Sequence, residues 1–173
     1  MAKDLIFIID RSRSAYQRRD DVMKYFDQRI SQVKDGDTLV TLALFDDKAE
    51  ILCFRQPADI AAGLLRPSYY NIGNSSIYDG ICDTIEEWDT YMKKTGGTIE
   101  TADLCIITDG MDTGSVRNEF DDMEATLSKR KTEGWQVLMK DLNLNNIEIS
   151  ALKTARTEAW EMKTKSICRQ ARC

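Results

Sequence analysis

The sequence predicts an α/β fold, with a central, mostly parallel sheet and helices on both faces, and three observations carry that prediction. Four short, nearly continuous apolar runs, LIFII (5–9), LVTLALF (39–45), LCII (104–107) and WQVLM (135–139), have the pattern of strands buried on both faces. Stretches with apolar residues at helical spacing lie between them, and such alternation builds a layered domain. The chain has 173 residues, 42% of them hydrophobic and only two of them proline, enough to bury a core as a single domain over 1–173.

The elements follow in order. LIFII forms the first strand and ends at Asp10, after which DRSRS (10–14) is polar. Val22, Phe26, Ile30 and Val33 share one face of a first helix. LVTLALF is the second strand, and the turn DDK (46–48) leads straight into AEILCF (49–54). That connection is too short for a parallel crossover, so the two strands form an antiparallel hairpin and one of them is an edge. Ile77, Ile81, Ile85 and Trp88 mark a second helix, and KKTGGT (93–98) is the loop from it to LCII. Val116, Phe120, Met123 and Leu127 mark a third helix before WQVLM. The core spans about 3–140, with no further sheet strand expected after it.

The C-terminal part, about 145–173, reads as a helix with Ile149, Leu152, Ala155, Ala159 and Met162 roughly on one face, followed by a basic tail. From Lys153 to Cys173 there are six basic residues against two acidic ones, Glu158 and Glu161. Such a run is either a solvated face or a docking surface for an acidic partner.

Composition removes several functions. There is no histidine, which excludes mechanisms that need an imidazole base or ligand. With 29 acidic and 24 basic residues, the net charge of −5 argues against wholesale nucleic-acid binding. No apolar run approaches the roughly 20 residues that span a bilayer, and MAKDLIFIID lacks the features of a signal peptide. The cytoplasm is the expected compartment, with no membrane partner. Cys53, Cys82 and Cys105 sit in apolar segments, Cys168 and Cys173 lie in the polar tail as free thiols, and the absence of a CxxC pair argues against zinc.

Three polar segments occupy or face the carboxyl ends of strands, where ligands collect in an open α/β sheet. They are DRSRS, ITDGMDTGS (107–115) and NIGNSSIYDG (71–80), and the ligands they offer are oxygens. Oxygen-only ligation with few carboxylates and several hydroxyls suits Mg²⁺, which keeps part of its water shell. Taken alone, DRSRS reads more readily as a turn than as a site, because Asp and Ser bond nearby backbone N–H groups.

With all three segments in order on the expected elements, the sequence resembles the von Willebrand factor A domain, also called the integrin I-like domain, with its metal-ion-dependent adhesion site (MIDAS). That family has a D-x-S-x-S segment after the first strand, a threonine or serine in a glycine-bearing loop, and an aspartate in a T-D-G segment. Here DRSRS supplies Asp10, Ser12 and Ser14, GNSSIYDG supplies Ser75, and IITDG supplies Asp109. The resemblance implies a three-layer, Rossmann-like fold. It also implies a Mg²⁺ site, with Mn²⁺ or Ca²⁺ as substitutes, in which Ser12, Ser14 and Ser75 ligate through hydroxyls and Asp10 and Asp109 bind directly or through water. The implied role is that of an interaction module rather than an enzyme, with Glu or Asp of another protein filling the coordination position left open.

The sequence departs from the family pattern at the loop rim. Arg13 stands where glycine is common, and Ser75 keeps the threonine oxygen but loses the methyl that fixes its rotamer. Arg11 and Arg13 either form a basic rim that steers an acidic partner or point to solvent and pair with Asp20, Asp21 or Asp112. Asp112 is expected beside the site, and Asp79 in the first turn of its helix, where a negative charge suits the dipole. The pairs at 20–21, 46–47 and 121–122 read as solvated positions or helix starts. Two further readings stay open: a Mg²⁺-dependent nuclease or phosphoryl-transfer enzyme built on Asp10, Asp109 and Asp112, and a domain that kept the fold and lost the metal.

Overall fold

The computed structural model describes residues 3–33, 36–99 and 101–153. Five strands, β1 (Lys3–Asp10), β2 (Thr38–Phe45), β3 (Ala49–Pro57), β4 (Thr101–Ile107) and β5 (Gln136–Lys140), form one sheet in the order β3-β2-β1-β4-β5. All neighbours are parallel except β2 and β3, the hairpin at one edge. No strand follows β5 among the described residues.

Every apolar residue of β1 is buried because both faces of the sheet are covered. Leu5, Phe7 and Ile9 pack with Val22, Phe26 and Ile30 of α1 (Arg19–Ser31), and with α2 (Ala58–Ala62) and α3 (Leu65–Ser68). Ile6 and Ile8 point the other way, into α4 (Ile77–Thr95) and α5 (Phe120–Thr132). The period-2 alternation of a strand thus supplies two cores, and the result is the expected three-layer arrangement.

The helical patterns hold with two corrections. Val33 lies in the turn after α1 ends at Ser31, and Val116 is not part of α5. That helix begins at Phe120, where Glu119 and Asp122 form a reciprocal capping box that satisfies the first free N–H groups. Three short pieces escape a periodicity reading because they are a turn or so long: α2, α3 and a 3-10 turn over Arg13–Arg18. At the C-terminal side a helix starts at Ile149, and Leu152 is fully buried against the α4–α5 layer. Ala155, Ala159, Met162, Cys168, Cys173 and the basic positions beyond Lys153 lie outside the described residues. Among the described residues no helix is long and apolar enough to cross a membrane.

The strand order places the switch in connection direction beside β1. From β1 the chain crosses one way to β2 and returns on the other side to β4, so the loops after β1 and β4 diverge and leave a crevice at their carboxyl ends.

Candidate metal centre

Asp10 is the last residue of β1, and its side chain is wholly buried in that crevice. Its Oδ1 accepts from the backbone N–H of Ser12 at 2.8 Å, which turns the chain back over the carboxylate. Its Oδ2 accepts from Ser75 Oγ at 2.8 Å and from Thr108 Oγ1 at 3.1 Å. Ser12 Oγ and Ser14 Oγ are hydrogen bonded at 2.9 Å, and Ser14 Oγ donates to Asp109 Oδ2. The five residues singled out for metal ligation are therefore one bonded network, running from the buried Asp10 to the exposed Ser14 and half-buried Asp109.

Each is positioned by its element. Gly110 takes φ 82°, a conformation an L side chain resists, and the turn it allows lets the Met111 N–H reach Asp109 Oδ1 at 2.9 Å. Ser75, just ahead of α4, exchanges two bonds with Thr113. Its N–H donates to Thr113 Oγ1 at 3.1 Å, and its carbonyl accepts from the Thr113 N–H at 2.8 Å. The DRSRS loop is tied to the same segment by Arg13 N–H to the Gly73 carbonyl at 3.3 Å and Asn71 Nδ2 to the Ser12 carbonyl at 3.1 Å.

Burial pushes the Asp10 carboxyl above its ordinary value, and the neighbouring charge of Asp109 pushes it further in the same direction, while hydrogen bonds from Ser12 and Ser75 oppose both. Two carboxylates thus face one another across hydroxyls. The arginine adjacent in sequence does not neutralise them, because it is committed elsewhere. A hard divalent cation fits this donor set, which is all oxygen, electron-rich and short of positive charge. Among the described residues no three Cys, Asp or Glu side chains gather as a metal cluster, so the oxygens here come largely from hydroxyls.

Two of the three rim residues are corrected. Arg11 is only 3% exposed. Its Nη2 lies 3.0 Å and its Nε 3.1 Å from Asp46 Oδ2, and its Nη1 donates to Glu50 Oε2 at 2.7 Å. It therefore clamps the β2–β3 hairpin to the end of β1 and does not form a rim. Asp46, read as a solvated turn residue, is buried as its partner. Asp112 is also buried, accepting from Ser115 Oγ at 2.5 Å and from the Tyr78 N–H at 3.4 Å. It braces the loop after β4 against α4, and the enzyme reading loses its third carboxylate from the site. Arg13 is exposed, as a rim residue must be.

Sequence reasoning passed over Thr108 and Tyr69. Thr108 is the threonine of the quoted ITDG, so its signal was in view. Tyr69, whose hydroxyl donates to the Asp10 carbonyl at 2.9 Å, had no local signal at all. Asp79 falls in the first turn of α4 as expected, but it also gathers the loop after β4. Its carboxylate accepts from the N–H groups of Val116 (2.8 Å), Arg117 and Asn118 (2.8 Å) and from Asn118 Nδ2 (2.9 Å). Burial raises its pKa, but those donors outweigh burial and hold it below the ordinary value.

No family model matches the chain, and no curated protein matches it. Solved structures do. Proximal thread matrix protein 1 from the mussel byssus superposes with a TM-score of 0.62 at 16% identity, over 81% of this chain and 36% of that one. A second structure of that protein, described as having a zinc-occupied MIDAS motif, gives 0.57 at 20% identity, over 81% and 35% of the two chains. The manganese-loaded TRAP protein of Plasmodium vivax gives 0.62 at 19% identity, over 81% of this chain and 57% of that one. A von Willebrand factor type A structure from Catenulispora acidiphila gives 0.54 at 14% identity, over 81% and 33%. This chain spans between about a third and just over half of these four solved chains.

Proposed function

We propose that this chain, which has the von Willebrand factor A fold, is a Mg²⁺-dependent protein-interaction module. The observation that carries the reading is the network Ser75–Asp10–Ser12–Ser14–Asp109, three loops brought to one crevice by hydroxyls and two carboxylates. The neighbour of the same fold described with a zinc-occupied MIDAS motif, and the one described as manganese-loaded, support a divalent cation as the ligand of this chain.

In this reading Asp10 and Asp109 supply the negative charge, and Ser12, Ser14 and Ser75 supply neutral oxygens. Held by these residues, Mg²⁺ would supply a Lewis-acidic position for one outside carboxylate. Burial of Asp10 keeps water from competing at the inner side, and the exposure of Ser14 leaves the outer side open to a Glu or Asp of the partner. Enzymatic chemistry is not part of this reading, since Asp112 is turned to Ser115 and Tyr78 and the site keeps two carboxylates. The cytoplasm remains our proposed location, on the cysteine usage: Cys53, Cys82 and Cys105 are free thiols.

Isothermal titration of the full chain with Mn²⁺ and Mg²⁺ tests the metal reading. Wild type should bind one ion, and Asp10→Ala and Ser12→Ala should each abolish binding. A wild-type chain that takes up neither ion at about millimolar concentration, the weak end of protein cation sites, overturns it.

A further inference from the structure

The described part of the chain has six large apolar side chains exposed to solvent, and five of them stand on the loops that build the candidate metal centre. Tyr16 (68% exposed) follows DRSRS on its 3-10 turn, Tyr70 and Ile72 (both 51%) precede Ser75, and Met111 (44%) and Val116 (88%) follow Asp109. The sixth, Ile60, lies on α2. Exposed apolar side chains are ordinary when scattered, but their concentration around one polar centre is the mark of an interaction surface.

These residues sit on backbone that is already fixed. Ile72 N–H donates to the Arg11 carbonyl at 3.2 Å, Met111 N–H to Asp109, and Val116 N–H to Asp79. The Arg11 guanidinium lies under the Tyr70 ring at 4.8 Å and holds it outward. Pinned backbone means that little ordering entropy is lost when a partner covers the rim. Of the two arginines beside Ser12, Arg11 is buried under the rim and Arg13 alone is exposed, so apolar side chains outnumber basic ones around the polar centre.

Resting on the metal reading above, we propose that the partner is a protein segment whose Glu or Asp is flanked on both sides by large apolar or aromatic residues, docked with the acid at the centre and its neighbours on this rim. Charge complementarity sets the middle of the interface and apolar burial sets the surround, the arrangement of a desolvated core in which a single polar anchor is fixed. Specificity then lies in the flanking residues, and long-range steering contributes little.

The test is a selection of random twelve-residue peptides displayed on phage against the immobilised full chain in Mn²⁺, with elution by EDTA. The eluted pool should be enriched in Asp or Glu between Leu, Ile, Met, Phe, Tyr or Trp. A synthetic peptide from the pool should bind at least about tenfold more weakly, the 1.4 kcal/mol scale of one good contact, to a Tyr16→Ser, Ile72→Ser, Val116→Ser variant whose Mn²⁺ titration matches wild type. Its affinity should persist in about 1 M salt, where screening acts within ~3 Å. Enrichment of acids flanked by Ser, Gly or basic residues, undiminished binding to the rim variant, or loss of binding in salt overturns the rim proposal while leaving the metal reading intact. Failure of wild type to bind Mn²⁺ removes the metal reading first, and the proposal with it. Sedimentation that shows a metal-independent dimer dissolved by the rim substitutions assigns the face to a second copy of the chain and overturns the proposal.

Discussion

Ser75 Oγ donates to Asp10 Oδ2 at 2.8 Å across 65 positions of sequence, and this bond joins the loop before α4 to the end of β1. Alone it stabilises a buried carboxylate. With Ser12, Ser14 and Asp109 attached to it, it is the place where, in the metal reading proposed above, a cation lowers the free energy of the folded state, and that reading has measurable consequences.

A ligand that binds only the folded chain stabilises it by mass action, about 2.7 kcal/mol at a free concentration 100 times the Kd. Thermal unfolding of wild type should therefore shift upward in Mn²⁺ and return in EDTA. Asp10→Ala should melt at the same temperature in both, because the buried carboxylate at the centre of the network is gone. A metal-induced shift that survives Asp10→Ala would place the ion elsewhere.

Asp79 governs acid stability. Its pKa is held below the ordinary 3.8 because the N–H groups of Val116, Arg117 and Asn118 outweigh its burial. A carboxylate depressed in the folded state stabilises above its unfolded pKa, and that contribution fades as pH falls through the lower, folded value. Asp79→Asn should thus show a flatter loss of stability than wild type below about pH 4, the unfolded carboxylate range. At neutral pH Asp79→Ala should cost about 1–3 kcal/mol by leaving loop N–H groups unpaired. Chemical denaturation across pH measures both.

Arg11 tests the corrected rim. Truncation to alanine leaves Asp46 as an unpaired buried carboxylate, at a cost of about 3–5 kcal/mol. Arg11→Lys should recover only part of that, since a point charge cannot serve Asp46 and Glu50 together as the planar guanidinium does. A near-neutral Arg11→Ala in urea unfolding would contradict the clamp.

Gly80 sets how closely α4 approaches the sheet. A Cβ there would lie 2.6 Å from Phe45 Cγ and 2.7 Å from Phe45 Cβ, atoms near the backbone of β2 that cannot swing away. Gly80→Ala should cost about 1–3 kcal/mol, as overpacking does. Because the displaced helix carries Ser75 ahead of it, Mn²⁺ affinity should fall as well. Melting and titration of one variant report both effects.

Much of this molecule was legible in its residues. Four of the five strands follow from short apolar runs, because a strand covered on both faces has no polar side to show, as Leu5 and Ile6 demonstrate by packing into opposite cores. The hairpin follows from the length of DDK, since a parallel crossover needs many more residues. That Asp10, Ser12, Ser14, Ser75 and Asp109 belong together was visible because their three segments follow, in order, the pattern of the von Willebrand factor A domain that the sequence resembles, and the structure joins them in one hydrogen-bonded network.

The fates of Arg11, Asp112 and Val116 were not legible. Arg11 and Arg13 are alike in sequence, yet Asp46 and Glu50, 35 and 39 positions away, draw one into the interior while the other stays outside. Val116 continues a helical spacing, but the Glu119–Asp122 box starts the helix later and Asp79 fixes the residues before it as a loop. The residues alone determined the layers and which polar loops carry the oxygens that gather at Asp10, because periodicity and donor chemistry are properties of short segments. Only the tertiary structure decided which charges are buried and which apolar side chains stay exposed, because each outcome depends on pairing between segments that meet only when the chain folds.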